Sequence, residues 1–440
     1  MVNNNFLVNK KTPECQNFSA HAENFKVENL QLTQDNRGIN DNIINIVNDI
    51  IDQAFLKKAS DIHIEPNKNE ILIRYRIDGT LYTALKLPKS MHKSIVARIK
   101  IIANLKIDEY RRPQDGRIEM ENISNASLRI SIIPTLFGEK IALRIFDESH
   151  SKNVSVNDLG FSDKQKKIIL ENIEKPYGMI IASGPTGSGK TSTLYSLLRL
   201  IKKDGLNIST LEDPIEYTLD GINQIQINPQ SDLTFPSGLR SLLRQDPDII
   251  MVGEIRDSET AIMAGNAALT GHLILTTLHA NDASSAFIRL LEMKVEDFVV
   301  ASTINLVIAQ RLVKKVCPFC AVNKKIDPVV LKKIKERKDI IKALETKNPG
   351  LYKKIEKQKF KIGKGCKKCF QTGYSDRIGI YELLSPSKKT RSLILNHGSA
   401  EKIRNAVEKE GFKDMLADAL DKVFSGITTF SEILRVTKNI

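Results

Sequence analysis

Residues 178–182 read GMIIA, and after Ser183 residues 184–191 read GPTGSGKT. The first run is short and apolar, which is typical of a buried strand, and a helix is predicted from Ser192 to Lys202. A strand, a loop of the form G-x-x-x-x-G-K-[ST] and a helix, in that order, indicate a nucleotide phosphate site. The glycines let backbone N–H groups turn inward toward phosphate oxygens, and the helix N-terminus adds partial positive charge.

The residues of this loop have separate predicted roles. Lys190 is expected to reach the β- and γ-phosphates, and the hydroxyl of Thr191 is expected to hold Mg²⁺. The alternative is a glycine-rich turn that binds no nucleotide, which the flanking strand and helix disfavour. The predicted cofactor-binding residues are Gly184, Pro185, Thr186, Gly187, Ser188, Gly189, Lys190, Thr191 and Ser192.

Acidic residues follow two apolar strands downstream of the loop. The strand at residues 248–252 leads to Glu254, and the strand at residues 208–211 leads to Glu212 and Asp213. The carboxyl ends of strands form the ligand edge of an open α/β sheet, so Glu254 is the candidate for activating the attacking water or holding it through Mg²⁺. Two adjacent carboxylates repel each other unless they face a cation, so Glu212 and Asp213 are expected to help bind Mg²⁺. A solvated turn is the alternative for that pair.

Two histidines flank the next strand, residues 273–277. His272 precedes it and His279 follows it. Either side chain could sense the γ-phosphate or contact a neighbouring molecule, with His272 the stronger candidate. A structural histidine is the alternative for both.

Four cysteines form two C-x-x-C pairs, Cys317 with Cys320 and Cys366 with Cys369. Two such pairs suit a closed, tetrahedral and structural Zn²⁺ site, although the 45 residues between them exceed the usual zinc-ribbon spacing. Disulfides are not expected in a reducing cytoplasm, and a redox motif would need no second copy. A metal-free role is the alternative.

The composition is that of a globular protein with two to four domains: 440 residues, 41% hydrophobic and 27% charged. The first residues contain no apolar run typical of a secretory signal, and no stretch reaches the roughly 20 apolar residues that span a bilayer. Any membrane role is therefore expected to be peripheral.

The net charge of +14 favours anionic partners. Residues 321–365 hold 15 Lys or Arg and 5 Asp or Glu, so most of the excess lies in this segment. The pattern predicts either a solvated lysine-rich helical surface or a patch that faces an anionic membrane or a partner.

The N-terminal part has the pattern of a separate α+β domain. Apolar residues recur at helical spacing from Asp41, and alternating residues around the turn pair Asp78–Gly79 predict a β-hairpin. A second helix is predicted over residues 89–105, with more strands up to Asp147.

The motifs from both domains, taken in order, resemble the secretion-ATPase superfamily, and more closely the type II secretion and type IV pilus assembly ATPases, in their tetracysteine-bearing assembly branch. The resemblance covers about residues 41–440. It is carried by residues 59–66, 74–79, 112–117, the loop at 184–191, and residues 210–217, 253–257 and 270–272.

The resemblance implies an α/β fold in which a PAS-like α+β domain precedes a RecA-like P-loop ATPase domain with a four-cysteine metal-binding insert and a helical C-terminal tail. It implies a leader at 1–40, the PAS-like domain at 41–147, a linker at 148–158, the ATPase core at 159–316, the four-cysteine zinc element at 317–369 and a helical subdomain at 370–440. Larger family members carry a further N-terminal docking domain, whereas about 40 residues precede the first domain here, so the resemblance does not imply that docking mode for this chain.

The resemblance also assigns site residues. Glu254 would be the Walker B glutamate, Glu212 would help to position Mg²⁺ or water, and His272 would belong to a histidine box. Arg117 and Arg129, with Arg144 less well matched, would stabilise charge on the γ-phosphate.

The implied function is an ATP-hydrolysing hexameric motor that powers assembly of a type IV pilus or a type II secretion pseudopilus. The implied cofactors are ATP, Mg²⁺ and Zn²⁺. The implied partners are further copies of the chain in a homo-hexamer and a polytopic inner-membrane platform protein, with the chain in the cytoplasm at the inner membrane.

A nucleic-acid-translocating ATPase for DNA uptake or transfer is the alternative, given the phosphate loop, the cysteines and the positive charge. Aromatic residues are only 6% and tryptophan is absent, so base-stacking platforms are sparse. Binding of nucleic acid is therefore not expected.

Overall fold

The computed structural model describes residues 36–120, 126–147 and 154–437. The chain divides into two compact units, with the boundary between residues 149 and 150. Residues 1–35 of the expected leader and residues 148–153 of the expected linker lie outside the described residues. Within the described ranges, no helix is both long and apolar enough to cross a membrane.

The first unit is a six-stranded antiparallel sheet with two helices. The helices are α1 (Asn36–Leu56) and α2 (His92–Ile102). The strands are β1 (Asp61–Pro66), β2 (Glu70–Ile77), β3 (Thr80–Pro88), β4 (Gln114–Met120), β5 (Ala126–Thr135) and β6 (Gly138–Asp147). Their order across the sheet is β3-β2-β1-β6-β5-β4.

Apolar residues at every second position place the core of this unit on one face of the sheet. Ile71, Ile73 and Tyr75 of β2 are buried in one cluster with residues of both helices. The other face carries charged side chains, and there Arg74 binds Glu65 of β1 at 2.7 Å. The period of two thus separates a helix-covered face from a charged face.

The second unit contains a seven-stranded sheet in the order β15-β12-β7-β11-β10-β8-β9. All neighbouring pairs are parallel except β12 with β15. The strands are β7 (Gly178–Ser183), β8 (Ile208–Glu212), β9 (Asn223–Gln226), β10 (Ile249–Val252), β11 (Leu273–Leu278), β12 (Ile304–Val316) and β15 (Tyr374–Leu384).

Helices cover both faces of this sheet. In β7, Met179 and Ile181 belong to one core cluster, whereas Ile180 and Ala182 belong to another. Burial on both faces explains why the strand reads as a continuous apolar run. The helices up to β12 are α3 (Asp163–Ile173), α4 (Lys190–Ile201), α5 (Phe235–Leu242), α6 (Ser258–Leu269), α7 (Ala283–Glu292) and α8 (Asp297–Thr303).

The lysine-rich segment is a packed insert. It comprises β13 (Ala321–Lys325), α9 (Pro328–Glu336), α10 (Lys338–Lys347), α11 (Leu351–Ile355) and β14 (Lys359–Gly363), with β13 and β14 antiparallel. Ile334, Ile340 and Ile355 are fully buried in the core cluster that also holds residues of the C-terminal helices. The lysines of residues 321–365 are all exposed, so the charge lies on the outer surface.

The region at 370–440, expected to be helical, begins instead with a strand. β15 pairs antiparallel with β12 from Leu384, opposite Val307, to Arg377, opposite Lys314. The strand is stabilised because this pairing buries every residue from Gly379 to Leu384. The remainder is helical as expected: α12 (Lys388–Leu395), α13 (Ala400–Glu408), α14 (Met415–Phe424) and α15 (Phe430–Val436).

Candidate functional site

The phosphate loop connects β7 to α4 through three glycines with left-handed backbone. The φ angles are 144° at Gly184, 75° at Gly187 and 88° at Gly189. A Cβ on Gly184 would lie 2.4 Å from the carbonyl oxygen of Gln310, so only glycine fits there. A Cβ on Gly187 would meet nothing within 4 Å, so the loop is open on that side. No side chain caps the first turn of α4. Its leading amides thus remain available to an anion, and the loop fits a phosphate group.

Lys190 is held inside the curl of the loop. Its Nζ donates to the carbonyl oxygens of Gly184 at 2.8 Å and Pro185 at 3.2 Å. Burial lowers the pKa of Lys190, and the negative charge of Glu254 partly opposes this effect. The ammonium therefore lies where phosphate oxygens would meet it, as its predicted role requires.

Gln310 supports the loop from the neighbouring strand β12. Its Nε2 donates to the carbonyl oxygen of Ser188 at 2.8 Å, and its Oε1 accepts from the hydroxyl of Thr193 at 2.8 Å. Gln310 is only 1% exposed. The sequence interpretation missed this residue, although a lone glutamine within the apolar run of a buried strand was the available signal.

Glu254 lies just beyond the carboxyl end of β10, next to the phosphate loop. Its carboxylate binds the Nε of Arg256 at 2.7 Å and lies 3.9 Å from Nε2 of His279. Burial and the charge of Lys190 lower the pKa of His279, so this imidazole is neutral at pH 7. The negative charge of Asp213 also acts on Arg256. Arg256 belongs to a motif used for the resemblance, but no role was predicted for it.

Glu212 lies at the carboxyl end of β8, as predicted, and its carboxylate is fully engaged. Tyr195 donates to Oε2, while Thr210 at 2.5 Å and Gln224 at 3.1 Å donate to Oε1. Burial, followed by the charge of Glu212, strongly raises the pKa of Tyr195. Tyr195 lies four residues after Thr191 on α4, so the two side chains share one face of the helix. By binding Tyr195, Glu212 therefore holds that face one turn C-terminal to the predicted Mg²⁺ ligand Thr191.

Of the two roles predicted for His272, sensing the γ-phosphate does not suit its position within one chain, because the residue lies away from the phosphate loop. Its carbonyl oxygen accepts from the amide of Gly178 at 3.1 Å, and its Nδ1 lies 3.0 Å from the carbonyl oxygen of Ala267. β11 runs parallel to β7 with Leu273 opposite Gly178 and Leu278 opposite Ser183. The two histidines therefore lie at opposite ends of β11, a strand that is itself about 16 Å long from Leu273 to Leu278.

The three arginines implied by the resemblance form a row on the charged face of the first unit. Arg117 of β4 is opposite Arg129 of β5, which is opposite Arg144 of β6. All three are exposed. Arg144 also binds Asp61 at 3.1 Å, and Arg117 donates to the hydroxyl of Ser127 at 3.2 Å. Like charges directly across strands repel one another, so this row favours an anionic ligand.

The four cysteines converge on one point. Their Sγ atoms all lie within 4.8 Å of one another, with neighbouring distances of 3.6 Å for Cys366–Cys369, 3.8 Å for Cys320–Cys369 and 4.0 Å for Cys317–Cys366. A tetrahedron with Zn–S bonds of about 2.3 Å has S–S edges of about 3.8 Å. The donor set and spacing therefore fit a zinc ion.

Backbone amides and glycines shape this cysteine cluster. The amides of Cys366 and Gly373 donate to Sγ of Cys369 at 3.2 and 3.3 Å. A Cβ on Gly363 would lie 1.9 Å from the carbonyl oxygen of Gly373. The end of β14 can therefore approach the second cysteine pair only with glycine at that position.

Comparison with known proteins gives one family match. The family model described as "Type II/IV secretion system protein" matches residues 37–435. The chain is 44% identical over 392 residues to the type IV pilus assembly ATPase PilB of Thermus thermophilus, covering 89% of this chain and 42% of that protein. It is 40% identical over 440 residues to the type IV pilus assembly ATPase TfpB of Acinetobacter baylyi, covering 98% of this chain and 72% of that protein.

A type II secretion protein and a solved ATPase structure are also similar to this chain. The type II secretion system protein E of Pseudomonas aeruginosa is 40% identical over 397 residues, covering 90% of this chain and 76% of that protein. The crystal structure of the Legionella pneumophila ATPase DotB superposes with a TM-score of 0.64 at 22% identity, covering 90% of this chain and 96% of that one. The predicted family resemblance and fold class are thereby confirmed.

Proposed function

This chain belongs to the type II/IV secretion system protein family, and from that premise we propose that it hydrolyses ATP to power assembly of a type IV pilus or a type II secretion pseudopilus. The names of its relatives agree with both parts, since PilB and TfpB are called pilus assembly ATPases. The observation that carries the proposal is the convergence of Lys190 and Glu254 at one edge of the parallel sheet.

The phosphate loop supplies the binding half of the reaction. In this proposal its amides and Lys190 bind the β- and γ-phosphates, and the hydroxyl of Thr191 holds Mg²⁺. Bound Mg²⁺ would neutralise charge that develops on the phosphate oxygens. Glu212 keeps α4 in place through Tyr195, so that Thr191 is presented at the loop.

Glu254 supplies the water-activating half. Its carboxylate is oriented by Arg256 at 2.7 Å, and the neutral imidazole of His279 lies beside it. A carboxylate held in this way can accept a hydrogen bond from the attacking water and take its proton. Of the two histidines predicted as γ-phosphate sensors, we propose His279 for this role within one chain.

The arginine row of the first unit is proposed to stabilise charge on the γ-phosphate. Arg117 and Arg129 suit this best, because Arg144 already pairs with Asp61. Guanidinium groups aimed at the transferring phosphoryl group lower the barrier electrostatically.

The cysteine cluster is proposed to hold one structural Zn²⁺ through Cys317, Cys320, Cys366 and Cys369. Four thiolates leave no open position, so the ion would serve the fold and not the chemistry. The cluster lies where β12 leads into the insert and where the insert returns to β15. Zinc would therefore close the base of the lysine-rich segment.

The working assembly is proposed to be a homo-hexamer in the cytoplasm, bound to a polytopic inner-membrane platform protein. The outward lysines of residues 321–365 suit contact with an anionic membrane surface. The DNA-motor alternative has no support in the names of the relatives reported above.

A turnover assay on the purified chain tests the proposal. Phosphate release from ATP with Mg²⁺ is measured alone, with phosphatidylglycerol vesicles and with single-stranded DNA. Mg²⁺-dependent turnover that DNA leaves unchanged supports the proposal. An absence of turnover under all conditions, or stimulation by DNA alone, would overturn it.

A further inference from the structure

A cavity of about 590 Å³ lies within the first unit, on the helix-covered side and away from the arginine row. It is bounded by α2, the turn that follows α2 and the hairpin between β5 and β6. Its volume lies within the roughly 300–1,000 Å³ of small-molecule pockets. The lining residues used below are Lys89, Lys93, Val96, Ile107, Tyr110 and Phe137.

Specific contacts build the walls of this cavity. Lys89 donates to the carbonyl oxygen of Phe137, and Nε2 of His92 lies 2.8 Å from the carbonyl oxygen of Glu139. The fully buried Lys100 binds the carboxylate of Glu139 at 2.8 Å. These three polar contacts hold the β5–β6 hairpin at a fixed distance from α2, so the cavity between them is formed by the fold itself.

The opening is bordered by large apolar side chains. Ile107 is 44% exposed, Tyr110 is 59% exposed and Phe137 is 43% exposed. Partly exposed apolar side chains that line one cavity offer an apolar surface to a ligand. Val96 continues the apolar wall inside the cavity.

Lys89 and Lys93 bring positive charge to the lining of the cavity, whereas the carboxylate of Glu109 lies close enough to Lys100 to interact with it electrostatically. Lys100 and Glu139 neutralise each other, whereas the cations of Lys89 and Lys93 have no carboxylate partner among the described residues. Burial lowers the pKa of His92, so this ring adds no charge at pH 7. An anionic group entering beside two lysines would gain electrostatic stabilisation that a neutral one would not.

We propose that this cavity binds a small amphipathic anion, with an aromatic or aliphatic body against Val96, Ile107 and Phe137. Its carboxylate, phosphate or sulfonate group would lie beside Lys89 and Lys93. The ligand site is separate from the phosphate loop and is formed by residues of the first unit alone.

The full-length chain offers a local reporter for a test, because it contains no tryptophan. Tyr110→Trp places a single fluorophore at the opening, and titration with 8-anilinonaphthalene-1-sulfonate measures energy transfer from it. Saturable transfer is expected. The neutral N-phenyl-1-naphthylamine, which has the same body without the sulfonate, is expected to bind about tenfold more weakly or worse. Ile107→Trp is the second reporter if the first variant does not fold.

Two charge variants in this background identify the site. Lys93→Glu should weaken binding of the sulfonate probe by about tenfold or more, whereas the exposed Lys68→Glu in the β1–β2 turn should change it less than about twofold. Ala97→Phe, which adds a ring to the lining, should abolish saturable transfer. Equal affinity of the two probes, or unchanged binding in Lys93→Glu, would overturn the proposal. Displacement of the probe by phosphatidylglycerol vesicles but not by soluble dodecanoate would overturn the assignment to a free small ligand.

Discussion

Gln310 holds Ser188 of the phosphate loop by a hydrogen bond of 2.8 Å from its side-chain amide to the backbone carbonyl. The other end of the same amide accepts from Thr193 on α4. A buried glutamine on β12 therefore links the loop to the helix that follows it, and the geometry of the loop depends on a strand more than 110 residues away.

Replacing this glutamine should weaken nucleotide binding more than it weakens the chemical step. Gln310→Leu removes two buried hydrogen bonds, which costs about 1–3 kcal/mol and loosens the loop. We expect the Kd for ATP to rise about tenfold, while kcat at saturating ATP falls less. Titration calorimetry with a non-hydrolysable analogue and steady-state kinetics measure the two effects.

Gln310→Glu is the matched comparison for this prediction. It keeps the acceptor for Thr193 but faces Ser188 with a carboxylate instead of a donor. It should therefore weaken binding at least as much as the leucine variant. Nucleotide affinity within twofold of wild type in both variants would contradict the positioning role.

Glu254→Gln should separate binding from hydrolysis. The amide keeps the shape of the side chain but cannot take a proton, so kcat is expected to fall by about 10²–10⁴-fold with ATP still bound.

Lys190→Ala should instead lose both nucleotide binding and turnover, because the ammonium inside the loop is removed. Circular dichroism checks that both variants fold. Normal turnover in either one would remove its catalytic assignment.

The two histidines should behave differently in the isolated chain. His279 lies 3.9 Å from Glu254, so His279→Ala is expected to reduce kcat about tenfold or more. His272 lies at the other end of β11, so His272→Ala should leave single-chain turnover within about twofold. Assays below the concentration at which the chain assembles isolate this effect. The reverse ranking would restore the role first predicted for His272.

One zinc ion per chain is expected in protein purified under reducing conditions. Cys366→Ser should lose the metal and destabilise the insert, because a three-thiolate site binds zinc less tightly. Metal analysis gives the stoichiometry, and limited proteolysis between residues 321 and 365 gives the structural effect. Cys15→Ser, outside the four ligands, is the matched control. A metal content of zero in the wild-type chain would refute the site.

The free energy of unfolding of the second unit should fall as the pH rises, because Glu382 then loses its proton. This buried carboxylate accepts hydrogen bonds from the amides of Ala283 and Met415, and burial raises its pKa from 4.5 to about 7. The protonated form is thus favoured by folding, so its stabilisation is complete below the unfolded pKa and is lost as pH rises through about 7.

The comparison between wild type and Glu382→Gln measures this term. Between pH 6 and 8, wild type should lose about 1 kcal/mol relative to the variant, whose side chain does not titrate. Urea unfolding curves of the second unit at several pH values give the difference. Parallel curves for the two proteins would show that Glu382 does not titrate in this range.

The local elements of the site could be predicted from the sequence because their signals are short in range. The G-x-x-x-x-G-K-[ST] loop predicts its own curl, since glycines at Gly184, Gly187 and Gly189 permit left-handed backbone. The two C-x-x-C pairs likewise predict their convergence, which the Sγ distances bear out. Apolar runs such as residues 178–182 predict buried strands without reference to any distant residue.

Which distant residues meet depends on the tertiary fold. The sequence predicts that His272 and His279 flank one strand, but the direction of β11 beside β7 places His279, and not His272, near the loop. It determined an apolar run containing Gln310, but the pairing of β12 with β7 aims that amide at Ser188. Tyr374–Leu384 lies in a region predicted to be helical, and it forms a strand because it pairs with the distant β12.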